Sequence, residues 1–297
     1  MKQVVSVSLG TSQRDHRVTI SLLGADVAVH RMGVDGDLAR AEGLIADLDG
    51  TVDAIGLGGI DRYLVMAGKR YEIKDAKRLA DAAHKTPVVD GSGLKDTWER
   101  WIVEEIIRNG TINPKMTVLM VSAMDRFGMA ETFYHYGFPV VAGDLIFASR
   151  INYPILTLDE LVELGHKLLP EMVRLPFWQL YPTGDRQLES AEGGAYDEYF
   201  DAADIIAGDF HFIKRYMPER LDGKIILTNT TTQEDRESLK NRGVRLVVTT
   251  TPVLSGRSFG TNVIEAALVA VSGVTFGCSE WIETVKKARR EFSHLTA

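Results

Sequence analysis

The clearest indication of the fold is the segment Thr117-Val-Leu-Met-Val-Ser-Ala123. A short, continuously apolar run of this kind is typical of a strand that is buried on both faces of a parallel sheet. Helix-like and strand-like patterns follow it in alternation, with a helix predicted at 128–136 and a second strand at 139–147. This alternation predicts a doubly wound parallel sheet.

The same rhythm continues toward the C-terminus. Further buried strands are predicted at 204–207, 224–228 and 245–250. Further helices are predicted at 157–173, 233–241, 262–271 and 280–292. The intervening segment 174–198 is rich in proline and glycine, which predicts a long loop. We therefore expect residues 111–297 to form a Rossmann-like domain.

Toward the N-terminus the pattern is mixed. Strands are predicted at 4–9, 52–57 and 86–89, hairpins at 18–29 and 63–73, and helices at 38–48, 74–84 and 95–109. The sequence thus predicts an α/β protein with an N-terminal mixed α/β domain, residues 1–110, joined to the Rossmann-like domain by a helix. The last helix, 281–292, is expected either to pack back on the first domain or to form a dimer contact.

Composition excludes several classes of protein. The chain has 297 residues, about two domains' worth, with 45% hydrophobic and 25% charged residues. A net charge of −7 gives no support for binding nucleic acid or an anionic membrane, and no apolar stretch reaches about 18 residues. Cys278 is the one cysteine, and the seven histidines lack metal-ligand spacing, so neither a disulfide nor a metal site is expected. We expect a cytoplasmic protein with a small-molecule substrate, and leave a homo-oligomer open.

The turn after the first strand of the parallel sheet is the natural place for a nucleotide. Ligands of open α/β sheets bind beyond the carboxyl ends of the strands, and a dinucleotide site carries G-x-G-x-x-G there. Residues 122–128 keep only the last glycine, and Arg126 could contact a phosphate in place of the missing loop. Asp144 ends the second strand and could hold a ribose hydroxyl, which would favour NAD over NADP. The predicted cofactor-binding residues are Ser122, Arg126, Gly128, Asp144, Thr249 and Thr250; the alternative is a structural turn with a surface Asp–Arg pair.

The segment Thr86-Pro-Val-Val-Asp-Gly-Ser-Gly-Leu-Lys95 resembles the N-T-D-G-x-G turn of the shikimate/quinate 5-dehydrogenases. Residues 71–76, Tyr-Glu-Ile-Lys-Asp-Ala, look like that family's V-T-x-P-x-K-E-A segment. Residues 247–253, Val-Val-Thr-Thr-Thr-Pro-Val, are similar to its strand ending in N-x-T-P-x-G. The resemblance implies an NAD(P)-dependent dehydrogenase that acts on a small polyhydroxy carboxylic acid.

The resemblance also implies site residues. Lys74 and Asp90 would be the catalytic pair, which takes the hydroxyl proton and stabilises the developing alkoxide. Ser6 and Ser8 would hold the substrate carboxylate, and Asn262 lies where the family has a substrate-contacting glutamine. From the residues alone, Lys74 also fits a solvated start of a helix, and Asp90 fits a turn or helix cap.

Two other functions remain open from the sequence. One is a Rossmann-like module that binds another nucleotide or metabolite without hydride transfer. The other is a non-redox enzyme, such as a lyase or transferase, that uses the same cleft. The turn at 122–128 distinguishes them from a dehydrogenase, because a lost glycine loop predicts poor dinucleotide binding.

Overall fold

The computed structural model describes residues 1–180, 194, 196–254, 257–258 and 260–292. The described residues form an α/β protein built around two five-stranded sheets. The predicted α/β fold class is therefore confirmed. Within the described residues, no helix is long and apolar enough to cross a membrane.

The first sheet belongs to the N-terminal half. The strands here are β1 (Lys2–Ser8), β2 (His16–Leu22), β3 (Ala25–Gly33), β4 (Ala54–Gly58), β5 (Tyr63–Met66), β6 (Lys69–Glu72) and β7 (Val88–Val89). The helices are α1 (Leu38–Leu48), α2 (Lys74–Ala80) and α3 (Ser92–Arg108). The strand order is β2-β3-β1-β4-β7, in which β2–β3 is the antiparallel pair, and β5 and β6 form a separate hairpin.

The second sheet is fully parallel. Its strands are β8 (Val118–Met120), β9 (Val140–Ala142), β10 (Ile205–Gly208), β11 (Ile225–Thr228) and β12 (Leu246–Thr249). The order β12-β11-β10-β8-β9 places the first strand of this sheet between the second and the third. This arrangement is one of the common doubly wound orders, with a topological switch point between β8 and β10.

Helices connect and cover these strands. They are α4 (Phe127–His135), α5 (Asp144–Ser149), α6 (Leu158–Met172), α7 (Phe177–Leu180), α8 (Asp197–Ala202), α9 (Phe210–Tyr216), α10 (Gln233–Asn241), α11 (Thr261–Ser272) and α12 (Trp281–Phe292). A small antiparallel pair, β13 (Val253–Leu254) and β14 (Arg257–Ser258), precedes α11. The predicted loop at 174–198 contains α7 and part of α8, and residues 181–193 and 195 lie outside the described residues.

The two halves of the chain interlock through the C-terminal helices. Helix α11 packs against β1 and β4 of the first sheet, and β1 also contacts α1. Gly56 in β4 permits this approach, because a Cβ there would lie 2.9 Å from the carbonyl oxygen of Asn262. Helix α12 packs against α3 and α11, and its Glu291 accepts a hydrogen bond from the Leu23 N–H. The first sheet is thus covered in part by a helix from the C-terminal end of the chain.

Candidate active site

A cavity of about 240 Å³ lies where the two halves meet, at the switch point of the parallel sheet. The first half contributes the loop after β4 and the start of α3. The second half contributes the turn after β8 and the residues that follow β9, β10 and β11. Its charged or titratable lining residues are Asp61, Asp90, Lys95, Asp125, Arg126, Asp144, Asp209 and His211. The cavity is therefore rich in carboxyl groups, which is unusual for a phosphate-binding site.

Lys95 joins the two halves at the floor of this cavity. Its Nζ lies 2.8 Å from Asp61 Oδ1 and 2.8 Å from Asp125 Oδ1, and its side chain is only 10% exposed. Asp61 follows β4 and Asp125 follows β8, so one lysine bridges a carboxyl group from each sheet. We call Asp61, Lys95 and Asp125 the bridging cluster.

The surroundings of the bridging cluster give its two carboxyl groups very different pKa values. Burial, together with the charge of Asp125, raises the pKa of Asp61 to about 7. Burial opposes it, but Lys95 and Arg126 hold the pKa of Asp125 at about 2. Although burial acts against it, the two carboxylates raise the pKa of Lys95 above its usual range. Near neutral pH Asp61 is therefore the group that gains and loses a proton, while Asp125 stays ionised and Lys95 stays a cation, as expected when two carboxyl groups are in contact.

A second ion-pair network lies behind the turn after β8. Arg126 is completely buried and pairs with the buried Glu99 of α3, and its Nη2 lies 3.4 Å from Asp209 Oδ2. The Thr250 hydroxyl donates to Glu99 Oε1 at 3.2 Å, and Asn229 Nδ2 donates to Asp209 Oδ2 at 3.0 Å. Arg126 was predicted to contact a phosphate, but its guanidinium is engaged by carboxylates of the chain itself.

Asp144 contacts the turn that a dinucleotide would use. Its carboxylate accepts hydrogen bonds from the N–H groups of Ala123 (3.0 Å) and Met124 (2.8 Å). Burial, although opposed by these bonds, raises the pKa of Asp144 to about 6. In a dinucleotide site the N–H groups of this turn face the pyrophosphate. The residues present therefore do not fit a pyrophosphate placed on this turn.

The other predicted cofactor residues have structural contacts. Ser122 lines the cavity, and its hydroxyl accepts from the Asp209 N–H at 3.1 Å. Gly128 allows α3 and α4 to pack closely, since a Cβ there would lie 3.1 Å from the Lys95 carbonyl oxygen. Thr249 donates to the carbonyl of Thr251 at 2.9 Å. Of the predicted set, Ser122, Arg126 and Asp144 line the cavity, and Gly128, Thr249 and Thr250 are not among its lining residues.

A smaller, basic cavity of about 110 Å³ adjoins the first. The two share Gly59, His211, Thr230, Gly260 and Asn262 as lining residues. The three predicted substrate-binding residues Ser6, Ser8 and Asn262 meet here, together with Arg14, His16 and Arg31. Asn262 Nδ2 donates to Ser6 Oγ at 2.8 Å, and Arg31 Nη2 donates to Ser8 Oγ at 2.9 Å. Asp15 accepts from Arg31 at 2.8 Å and offsets part of the positive charge.

The structure does not bring the predicted catalytic pair together in the cavity. Asp90 lines it, whereas Lys74 is exposed at the start of α2, where its N–H donates to the Val173 carbonyl. The lysine that shares the cavity with Asp90 is Lys95, at the end of the same D-G-S-G-L-K segment. From the sequence alone, a lysine at the start of a helix carries no pattern that shows whether its side chain is buried or exposed.

Asp90 connects two loops through hydrogen bonds of its carboxylate. Its Oδ2 accepts from the N–H groups of Arg62 (2.6 Å) and Tyr63 (2.9 Å), and its Oδ1 accepts from the Ser92 hydroxyl at 2.8 Å. Gly91 follows with φ of 94°, and a Cβ there would lie 2.5 Å from the Asn262 N–H nitrogen. The D-G-S-G turn is thus explained by close packing of α3 against the start of α11.

Sequence reasoning missed Asp61, Lys95 and Asp125 as a cluster. Asp61 ends the segment Gly56-Leu-Gly-Gly-Ile-Asp61, whose glycines signalled a turn, but its partners are 34 and 64 residues further along the chain. Within the described residues, no group of three or more His, Cys, Asp or Glu is arranged to hold a metal ion.

Comparison with known proteins gives a family and distant folds. The family model "Domain of unknown function (DUF8754)" matches residues 93–289, and "Domain of unknown function (DUF8753)" matches residues 3–90. No curated protein sequence matches the chain.

Among solved structures, the chain is similar to an NAD-dependent malic enzyme from Thermotoga maritima, at 12% identity over 84% of this chain and 67% of that one, with a TM-score of 0.33. It is also similar to a galactofuranose binding protein, at 11% identity over 98% and 99% of the two chains, with a TM-score of 0.35. A phosphoglycerate oxidoreductase from Vibrio cholerae matches at 12% identity over 77% and 75%, with a TM-score of 0.24. Likeness at this level carries no argument about the ligand, so the chemistry must come from the residues of the site.

Proposed function

We propose, for a chain that belongs to the family described as Domain of unknown function (DUF8754), that the cleft binds a small polyhydroxy carboxylic acid and moves a proton on it. The observation that carries the proposal is the bridging cluster, which stands next to a basic cavity within one continuous cleft. The basic cavity suits a carboxylate, and the bridging cluster suits a hydroxyl group.

The carboxylate end of the ligand belongs in the basic cavity. Arg31 presents a guanidinium held by Ser8 and Asp15, which fixes its orientation before a ligand arrives. Ser6 and Asn262 add a hydroxyl and an amide as neutral partners. Hydrogen bonds between a guanidinium and a carboxylate are among the stronger ones that proteins make.

The proton step belongs to Asp61. A carboxyl group with a pKa of about 7 can both accept and return a proton near neutral pH, which is the requirement for general acid–base catalysis. Lys95 remains protonated beside it and stabilises the negative charge that develops on the substrate oxygen. Asp125, ionised on the other side, keeps the lysine in place.

A dehydrogenase with quinate or shikimate as substrate is the second candidate. It is favoured by the strand order and by the position of the cavity at the switch point, where nucleotides bind in doubly wound folds. This candidate requires NAD or NADP to bind in the cleft without the N–H groups of Ala123 and Met124, which Asp144 occupies, and Asp61 would then take the hydroxyl proton. The catalytic pair Lys74 and Asp90, implied by the resemblance, stays a prediction for this candidate, as the alternative to Asp61 for taking the hydroxyl proton. Both candidates use the same acid and the same carboxylate site.

Calorimetric titration tests the proposal. Quinate, shikimate and a cyclic polyol without a carboxylate are titrated into the wild type and into Arg31→Met, with the exposed Arg17→Met as matched control. We expect each acid to bind the wild type and the control with equal affinity. Arg31→Met should bind each acid at least about tenfold more weakly, a loss of about 1.4 kcal/mol in binding free energy. The neutral polyol should not distinguish the variants. No binding of either acid to the wild type contradicts the proposal, as does equal binding to Arg31→Met.

The role of Asp61 has its own test in the same assay. Asp61→Asn keeps the size of the side chain and removes the titration, so the acids should still bind while the pH dependence of binding near pH 7 disappears. Adding NAD or NADP with the acid and following absorbance of the reduced cofactor separates the dehydrogenase from non-redox chemistry. An unchanged pH profile in Asp61→Asn removes Asp61 from the proton step.

A further inference from the structure

The switch-point turn already holds an anion of its own chain. The N–H groups of Ala123 and Met124 converge on the two carboxylate oxygens of Asp144, at 3.0 and 2.8 Å. Asp144 is the first residue of α5, and it leaves the adjoining strand of the same sheet. A pair of backbone N–H groups that converges at this place in a doubly wound sheet is the geometry that binds phosphate.

We propose that Asp144 is a built-in substitute for a ligand phosphate, which makes this turn closed to nucleotides and phosphate esters. The inference deepens the proposed function, on which it rests for the choice of cavity, because it says that the bound acid carries no phosphate at this end. The dinucleotide predicted from the resemblance would need the same two N–H groups.

Local structure makes the substitution hard to undo. Asp144 is fixed at the start of α5, and the neighbouring Gly143 is packed against Phe147 so closely that a Cβ would overlap its ring. A phosphate would have to displace a buried carboxylate, which would then lose both of its hydrogen bonds. Asp125 and Asp209 line the same cavity, and their ion pairs with Lys95 and Arg126 offset the positive charge that could otherwise attract a phosphate.

The arrangement still admits a hydroxyl group. A carboxylate oxygen has two lone pairs, and each oxygen of Asp144 uses one of them for a backbone N–H. A donor such as an alcohol can therefore approach the remaining lone pairs, whereas a phosphate, which only accepts, finds the two N–H groups of this turn already taken. The turn thus discriminates in favour of polyols and against their phosphorylated or nucleotide-bearing counterparts.

Titration with inorganic pyrophosphate, NAD and NADP tests the inference at about pH 8, where Asp144 is ionised. The proteins are the wild type, Asp144→Ala, and the exposed Asp201→Ala as matched control. We expect no saturable binding of the three compounds to the wild type or to the control. Asp144→Ala frees both N–H groups and should gain pyrophosphate affinity by at least about tenfold.

Three outcomes overturn the inference. They are saturable binding of NAD, NADP or pyrophosphate to the wild type, no gain in Asp144→Ala, and an equal gain in Asp201→Ala. Asp144→Asn, which retains one acceptor oxygen, should give a smaller gain and serves if the alanine variant does not fold. Quinate titrated into the same samples reports on the proposed function separately, because its carboxylate site lies at Arg31.

Discussion

The buried pair of Arg126 and Glu99 shows how much of the site is devoted to holding charges in place. Both side chains are fully buried, and the guanidinium also lies near Asp125 and Asp209. Burial raises the pKa of Glu99, and the adjacent guanidinium opposes that rise. A buried ion pair gives little net stability as a pair, but breaking it leaves a charge without compensation.

Arg126→Met should therefore destabilise the protein by about 3–5 kcal/mol. The methionine leaves three carboxyl groups near one another with less positive charge between them. The double variant Glu99→Met, Arg126→Met should recover at least about half of this loss, because it replaces the pair by apolar side chains of similar length. Urea unfolding followed by circular dichroism measures both.

The control for this experiment is Arg40→Met, whose side chain is 61% exposed and which should change the free energy of unfolding by less than about 0.5 kcal/mol. Equal stability of Arg126→Met and Arg40→Met would mean that the buried network is held by something other than the guanidinium.

At the scale of elements, Glu265 links α11 to the start of α3. Its carboxyl group is buried and accepts from the Leu94 N–H at 3.3 Å, in the first turn of α3. Burial, followed by the charge of Asp90, raises the pKa of Glu265 to about 8 from its usual 4.5. The folded state thus holds a proton that the unfolded chain releases at lower pH.

The sign of the pH effect follows from that difference. The contribution of protonated Glu265 to the free energy of unfolding is complete below about pH 4.5. It is lost as the pH rises toward 8, at up to about 1.4 kcal/mol for each pH unit. Glu265→Gln keeps an acceptor for the helix N–H but does not titrate. We expect its free energy of unfolding to fall less steeply than that of the wild type between about pH 5 and 8.

Urea unfolding at a series of pH values measures the slopes, with the exposed Glu163→Gln of α6 as the matched control. The control should follow the wild type. Parallel curves for the wild type and Glu265→Gln would show that this carboxyl group does not carry the pH dependence.

The elements could be predicted from the sequence where the signal is local. The hairpin at 63–73 and the helix at 157–173 were both predicted and are confirmed: β5 and β6 are joined by a turn at Ala67-Gly68, and the Thr157 side chain caps α6 by accepting from the Glu160 N–H. The contacts of Lys95 with Asp61 and Asp125 could not be predicted, because they depend on how the two sheets meet rather than on any spacing in the chain. The hydrogen bonds of Asp144 could not be predicted either. The sequence shows an acidic residue after the second strand, but its partners are backbone N–H groups, which no sequence pattern marks.

At the scale of the whole molecule, the division of the chain in sequence differs from its division in space. The two family models meet near residues 90–93, and the prediction placed the joint near 110. Helix α11 nevertheless packs on β1 and β4, and its residues from Val263 to Ala270 are all buried. Strand β1 is buried at each position from Val4 to Ser8, which requires cover on both faces of the sheet.

Residues 1–110 expressed alone should consequently fail to fold cooperatively. Without α11 the fragment exposes the apolar face of β1 and β4, and the cleft loses the start of that helix. A matched fragment in which residues 260–292 follow 1–110 through a flexible Gly/Ser linker restores this cover and should unfold in a single transition. Circular dichroism across a urea titration compares the two. A cooperative transition of the same slope for the 1–110 fragment alone would show that the first sheet is self-sufficient, because the slope scales with the surface exposed on unfolding.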